Sequence, residues 1–182
     1  MSGWSVHKGH AAQLLRDNID TDQLIPARFM STPRSAGYGD YLLHDVRDQY
    51  ALAEGDSIVV AGRNFGSGSS REAAVYALID FGIRVVLAPS FGDIFAANAV
   101  NNGLLAAKVA AEDLKRLSGK LTVDLVSQTV TSGSTTILFQ VDPIWRLKLI
   151  NGWDDIDLTS QHNAAITAFS HRRPEWAQPA PE

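Results

Sequence analysis

The sequence predicts an α/β fold, a mixed sheet with flanking helices that is parallel in its first half. Three observations carry that prediction. Ile58-Val59-Val60-Ala61 and Ile83-Arg84-Val85-Val86-Leu87-Ala88 are short, β-branched and bounded by turn residues, so each reads as a buried strand. Helical patterns follow both runs, and strand-helix-strand alternation favours parallel pairing. Further along, strand patterns near Leu121–Val126 and Thr135–Phe139 are separated by a turn-rich stretch, Ser127–Ser134, so these later strands can pair antiparallel.

In chain order, a polar lead precedes Asp17-Asn18-Ile19-Asp20-Thr21-Asp22. This acidic cluster lacks the glycine and distal glutamate of a calcium loop, and reads as a capped turn whose Asp side chains hold backbone amides. Residues 28–50 show no sustained apolar period and predict a long, mobile loop. After the strand at 58–61, a loop from Gly62 to Ser70 holds three glycines and three serines. Ser69 and Glu72 stand at capping-box spacing for a helix that places Ala73, Ala74, Ala77, Leu78 and Phe81 on one face and stops at Gly82. A second helix is expected from Phe91 to Asn102 with Ile94, Phe95 and Ala99 inward, then a strand at Leu104–Val109 and a short helix at Glu112–Leu117. Pro143 can open a helix that Gly152 closes. Thr159 can cap a last helix running to about Arg172. One domain over residues 1–176 is expected, with 177–182 as a loose tail.

Composition narrows the function. With 182 residues the chain suits one domain with a full core. A net charge of −4 and the absence of Lys/Arg runs argue against nucleic acid as a partner. No stretch approaches membrane-spanning length, and the N-terminal residues lack the apolar core of a signal peptide, so a cytoplasmic protein is expected. With no cysteine the chain supplies no thiolate to a metal or cluster, and its five histidines are dispersed, so no metal site is expected here.

The chemistry concentrates in Gly62–Ser70. Glycines let backbone N–H groups approach an anion, and a helix N-terminus favours negative charge at the same place. Arg71 adds a formal charge. The loop has no lysine, which excludes the nucleoside-triphosphate motif, and Arg71 stands where the dinucleotide fingerprint needs its third glycine. From the residues alone, Ser69 is the N-cap of the helix, Arg71 is an exposed first-turn residue pairing with Glu72 or Asp80, and Arg34 is a solvated loop arginine.

GRNFGSGSSRE, with DNIDTDQLIPARFM before it and VVLAPSFGDIFAANAVNNGLL and LINGWDDIDLTSQHNAAI after it, resembles the small subunits of 3-isopropylmalate dehydratase. The motifs stand in family order across roughly residues 17 to 176. The resemblance implies a three-layer β/β/α swivelling domain of the aconitase superfamily. It also implies a hydro-lyase active only with a large subunit that carries a [4Fe-4S] cluster, acting on a small dicarboxylate. Carried over residue by residue, Ser69 matches the serine base, and Asp22 is placed in an acid/base-orienting role. Ser70 and Arg71 match contacts to substrate carboxylate, and Asn64, Gly66, Ser67 and Gly68 shape the substrate loop. Arg34, in the 28–50 loop that in the family closes over the substrate, is assigned to a substrate carboxylate because its planar fork grips one at two points. The family pattern reads GCGSSREHA, whereas this chain has Ser67 and Ala73 in the cysteine and histidine positions. That departure keeps open a paralogue acting on another alkyl-malate or homoaconitate, and a non-catalytic binding module retaining the fold is the alternative of a different class.

Overall fold

A computed structural model describes residues 2–172. The expected tail at 177–182 lies outside the described residues. Seven strands form one sheet in the order β4-β3-β2-β1-β5-β6-β7. β1 (Val6–Leu14), β2 (Asp56–Ala61), β3 (Val85–Ala88) and β4 (Leu105–Lys108) are parallel. On the far side of β1, β5 (Gly119–Asp124), β6 (Thr129–Ser132) and β7 (Thr135–Leu138) are antiparallel. Both halves of the mixed-sheet expectation hold.

The continuous apolar run of β2 has a specific cause. Val59 and Ala61 pack into a helix-side core with Phe65, Ala74, Leu78, Phe95 and Ala99. Ile58 and Val60 pack into a second core with Leu121, Val123, Val130 and Ile137 of the antiparallel strands. A strand buried on both faces has no polar alternation to show. The second core exists because the sheet curls back over itself until Lys108 and Gln140 exchange two backbone hydrogen bonds of 2.8 Å. Helices, parallel sheet and folded-over strands make the three β/β/α layers.

α2 (Ala73–Phe81) and α3 (Asp93–Asn101) connect the parallel strands. Gly82 closes α2 at φ 113°, accepting a conformation that costs an L-residue with a side chain. α4 (Pro143–Asn151) starts at Asp142, whose carboxylate accepts from Ile144 N–H and Trp145 N–H, and ends at Gly152 as expected.

Several elements differ from expectation. β1 sits at the centre of the sheet, yet its residues before Ala12 are partly exposed in alternation, so no apolar run announces it. β6 lies within the supposed turn-rich stretch, its Thr and Ser faces half-exposed and only Val130 buried. The short helix is a 3-10 helix at Ala111–Arg116. The last helix is two: α5 (Asp155–Ser160), opened by a capping box between Asp154 and Asp157, and α6 (Asn163–His171). Thr159 is therefore interior to α5 and caps nothing.

Residues 28–50 are folded rather than loose. Short 3-10 turns run through the segment, Leu42 and Leu43 are fully buried, and Phe29 stacks on Tyr41 with centroids 4.2 Å apart. The apolar residues are spaced for turns of changing direction, so no helical or strand period shows them.

Candidate active site

Three loops leave the carboxyl ends of β1, β2 and β3, the edge of a parallel sheet where α/β folds place ligand sites. They lie side by side like short strands. From the first loop, Asn18 N–H donates to Arg63 O at 2.8 Å and Thr21 N–H to Ser67 O at 2.9 Å, while Gly66 N–H donates back to Ile19 O at 2.7 Å. On the other side, Phe65 N–H donates to Ser90 O at 3.1 Å and Gly92 N–H to Phe65 O at 2.9 Å. The glycine-rich loop is thus held on both flanks.

Side chains complete the frame. Asp20 caps α1 (Thr21–Leu24) by accepting from Gln23 N–H at 2.8 Å, and Asp17 accepts from Arg63 N–H at 2.6 Å. This is the capped turn expected of the acidic cluster. Asn64, at φ 57°, donates from Nδ2 to Asn18 Oδ1 at 2.8 Å, and its backbone N–H donates to Ser90 Oγ at 2.9 Å. Asparagine is among the residues that best tolerate that left-handed backbone. Gly66 (φ 72°) and Gly68 (φ 98°) turn the loop, and Phe95 leaves no room for a side chain on Gly66.

Past Gly68 the loop opens into a cleft of about 220 Å³ lined by Gly66, Ser67, Gly68 and Ser69 on one side and Gly92, Asp93, Ile94 and Phe95 on the other. Among the described residues, the backbone N–H groups of Ser69, Ser70 and Arg71 find no protein acceptor. The first turn of α2 begins just beyond them. Free donors, an arginine and the start of α2 thus follow Ser69 directly along the chain, a combination suited to an oxygen anion.

Ser69 does not cap the helix. α2 begins at Ala73 after Glu72, with no side-chain cap bond. The hydroxyl of Ser69 lies 3.3 Å from Thr21 Oγ1, and Asn102 Nδ2 takes the Glu72 carboxylate at 2.7 Å, so both halves of the expected capping box are engaged elsewhere.

Arg71 pairs with Asp22, rather than with Glu72 or Asp80. The two residues singled out in separate motifs are thus brought together, with Asp22 holding the guanidinium. Arg34 is placed apart from them. Its guanidinium grips Asp80 at 2.6 and 2.9 Å and lies over the Tyr76 ring at 4.4 Å. Asp80 stands in the last turn of α2, about 10 Å along the axis from Ala73.

Thr21, Asn18, Ser90, Gly92 and Ile94 belong to the site and were not singled out from sequence. Thr21 sits between Asp20 and Asp22, whose charges draw attention first. Ile94 was expected inward, but because α3 begins only at Asp93 it falls in the first turn, 54% exposed, while Phe95 and Ala99 do face inward. Ala73 is buried in the helix-side core. Among the described residues no group of three or more metal-ligating side chains is gathered, and with no cysteine the chain does not fit an iron–sulfur cluster.

A curled mixed sheet whose parallel strands deliver a glycine-serine loop at their carboxyl ends is the architecture of the aconitase swivelling domain, and the aconitase C-terminal domain family matches residues 41–112. Relatives match over nearly the whole chain. The 3-isopropylmalate dehydratase small subunit of Shouchella clausii is 43% identical, covering 92% of this chain and 95% of its own length. That of Kineococcus radiotolerans is 44% identical over 97% and 94%. The crystal structure of 3-isopropylmalate dehydratase from Methanocaldococcus jannaschii superposes with a TM-score of 0.73 at 27% identity, covering 90% of this chain and 99% of that one. The chain belongs to the family of 3-isopropylmalate dehydratase small subunits.

Proposed function

We propose that the chain is the small subunit of a cytoplasmic hydro-lyase that interconverts 2- and 3-isopropylmalate by dehydration and rehydration in leucine biosynthesis. The observation that carries this reading is the exposed Ser69, which lines the cleft at the start of a run of free backbone N–H groups, two residues before the Arg71 that Asp22 holds. Family membership supplies the substrate class.

Dehydrating a hydroxy acid requires removal of a weakly acidic C–H proton and stabilisation of the carboxylate that gathers charge. Ser69 Oγ, as alkoxide, takes that proton and returns it in the rehydration step. A serine hydroxyl is ordinarily far too weak an acid for this, so the free N–H groups, the α2 N-terminus and Arg71 must favour the anion. Arg71, oriented by Asp22, and Ser70 hold a substrate carboxylate, since a guanidinium fork fits a carboxylate at two points. Arg34 joins them by exchanging Asp80 for a second substrate carboxylate. Gly66, Ser67, Gly68 and Asn64 keep the loop in shape.

Departure of hydroxide calls for a Lewis acid. This chain's residues do not fit one, and we assign the [4Fe-4S] cluster to a large partner subunit. Reconstitution with such a subunit is the test. Hydration of isopropylmaleate is expected from the complex and from neither subunit alone. Turnover only of another alkyl-malate would move the substrate assignment, and no complex with any large subunit would overturn the reading.

A further inference from the structure

Thr21 is the residue on this face whose burial and contacts the mechanism has not yet used. The residue is polar yet only 1% exposed. Its backbone N–H is fixed by Ser67 O at 2.9 Å, which sets the hydroxyl against the loop. Thr21 Oγ1 lies 3.3 Å from Ser69 O and also 3.3 Å from Ser69 Oγ. These bonds are long for hydroxyl donors, as catalytic contacts often are before substrate binds.

We infer that Thr21 is a positioning residue that alternates between accepting a hydrogen bond from Ser69 and donating one to it, in step with the proton carried by Ser69. The inference rests on the reading of Ser69 as base. A threonine hydroxyl has one proton and two lone pairs. With Ser69 protonated, Ser69 O–H donates to Thr21 Oγ1, and Thr21 O–H donates to Ser69 O. When Ser69 gives its proton to solvent, its oxygen needs a donor. The Thr21 O–H then rotates about its C–O bond from the carbonyl to the alkoxide, with no heavy atom moving. When Ser69 takes the proton of the substrate C–H, Thr21 rotates back. No bond other than the hydrogen bonds changes at Thr21. Burial matters here because water cannot compete for the Thr21 hydroxyl, whose one proton is left to the two Ser69 oxygens.

The test uses the complex of the full chain with its cluster-loaded large subunit, assayed on isopropylmaleate across pH. Thr21→Val keeps the shape and removes the donor. The rate at neutral pH should fall on the order of 100-fold. KM should hardly change, and the acid limb of the profile should move to higher pH by about one to two pH units. Thr21→Ser should restore rate and profile. A packing role would reverse the order, since Thr21→Ser opens a cavity and Thr21→Val does not, and that result would overturn the inference. So would a wild-type profile for Thr21→Val in a complex that Ser69→Ala inactivates. If Ser69→Ala itself retained activity, the base assignment would fail first and take Thr21 with it.

Discussion

Arg34 closes on both carboxylate oxygens of Asp80, at 2.6 and 2.9 Å, while the backbone N–H of Tyr38 donates to the same carboxylate at 2.7 Å. One acidic side chain at the end of α2 therefore fixes two points of the 28–50 segment. Any substrate role for Arg34 requires that it let go of Asp80, and the two residues can be told apart. Asp80→Asn weakens the anchor and should lower stability by about 1–2 kcal/mol. Arg34→Ala should do the same and in addition raise KM in the reconstituted enzyme. Equal KM values for the two variants would leave Arg34 as scaffold alone.

Gly92 is where the start of α3 meets the glycine-serine loop. A Cβ there would stand 2.6 Å from Gly66 O and 3.2 Å from Ser67 Cα, both backbone atoms that cannot swing aside. Gly92→Ala should therefore displace the loop, costing about 1–3 kcal/mol of stability. A misplacement of the order of 1 Å can cost about 100-fold in rate, so activity should suffer more than folding. Thermal melts and initial rates on one preparation check this, and an unchanged rate would contradict it.

Lys148 is 2% exposed, with its ammonium donating to Asn101 Oδ1 at 2.5 Å and Asp155 Oδ1 at 2.7 Å. It ties α3 to α4 and α5. The partners are unequally buried, since Asp155 is 73% exposed, so removing them has unequal effects. Lys148→Met leaves a carboxylate that water can solvate and should change stability by less than about 1 kcal/mol. Asp155→Ala leaves a buried ammonium with one neutral partner and should cost about 1–3 kcal/mol. Denaturant melts giving the opposite order would refute this account.

Burial, and secondarily the charge of Arg84, lowers the pKa of His7 from its ordinary 6.5, and His7 Nε2 bonds Ser57 Oγ at 2.9 Å. The folded chain thus binds the proton less readily than the unfolded chain. The stability this contributes is complete above pH 6.5 and is lost as pH falls through the lower folded value. His7→Gln should flatten the stability profile in that window, and an identical slope would show that other groups set it.

The helix-side half of the fold was legible because glycines, prolines and apolar runs mark it: Ile58–Ala61, Gly82, Pro143 and Gly152 all sit where the pattern puts them. β1 was not, because a strand with half-exposed faces on a curled sheet carries His7, Lys8 and His10 among its small residues. The site shows the same division. Ser69, Arg71 and Asp22 stood out only through the family resemblance of their motifs, and that Asp22 meets Arg71 and Thr21 meets Ser69 depends on segments 49 and 48 residues apart lying side by side. No local periodicity records such a pairing.

The central claim is that Ser69 is the base. Ser69→Ala, assembled with the cluster-loaded large subunit and confirmed to form the complex, should hydrate isopropylmaleate slower by about 100-fold or more. A rate within a few-fold of the unsubstituted complex would contradict it.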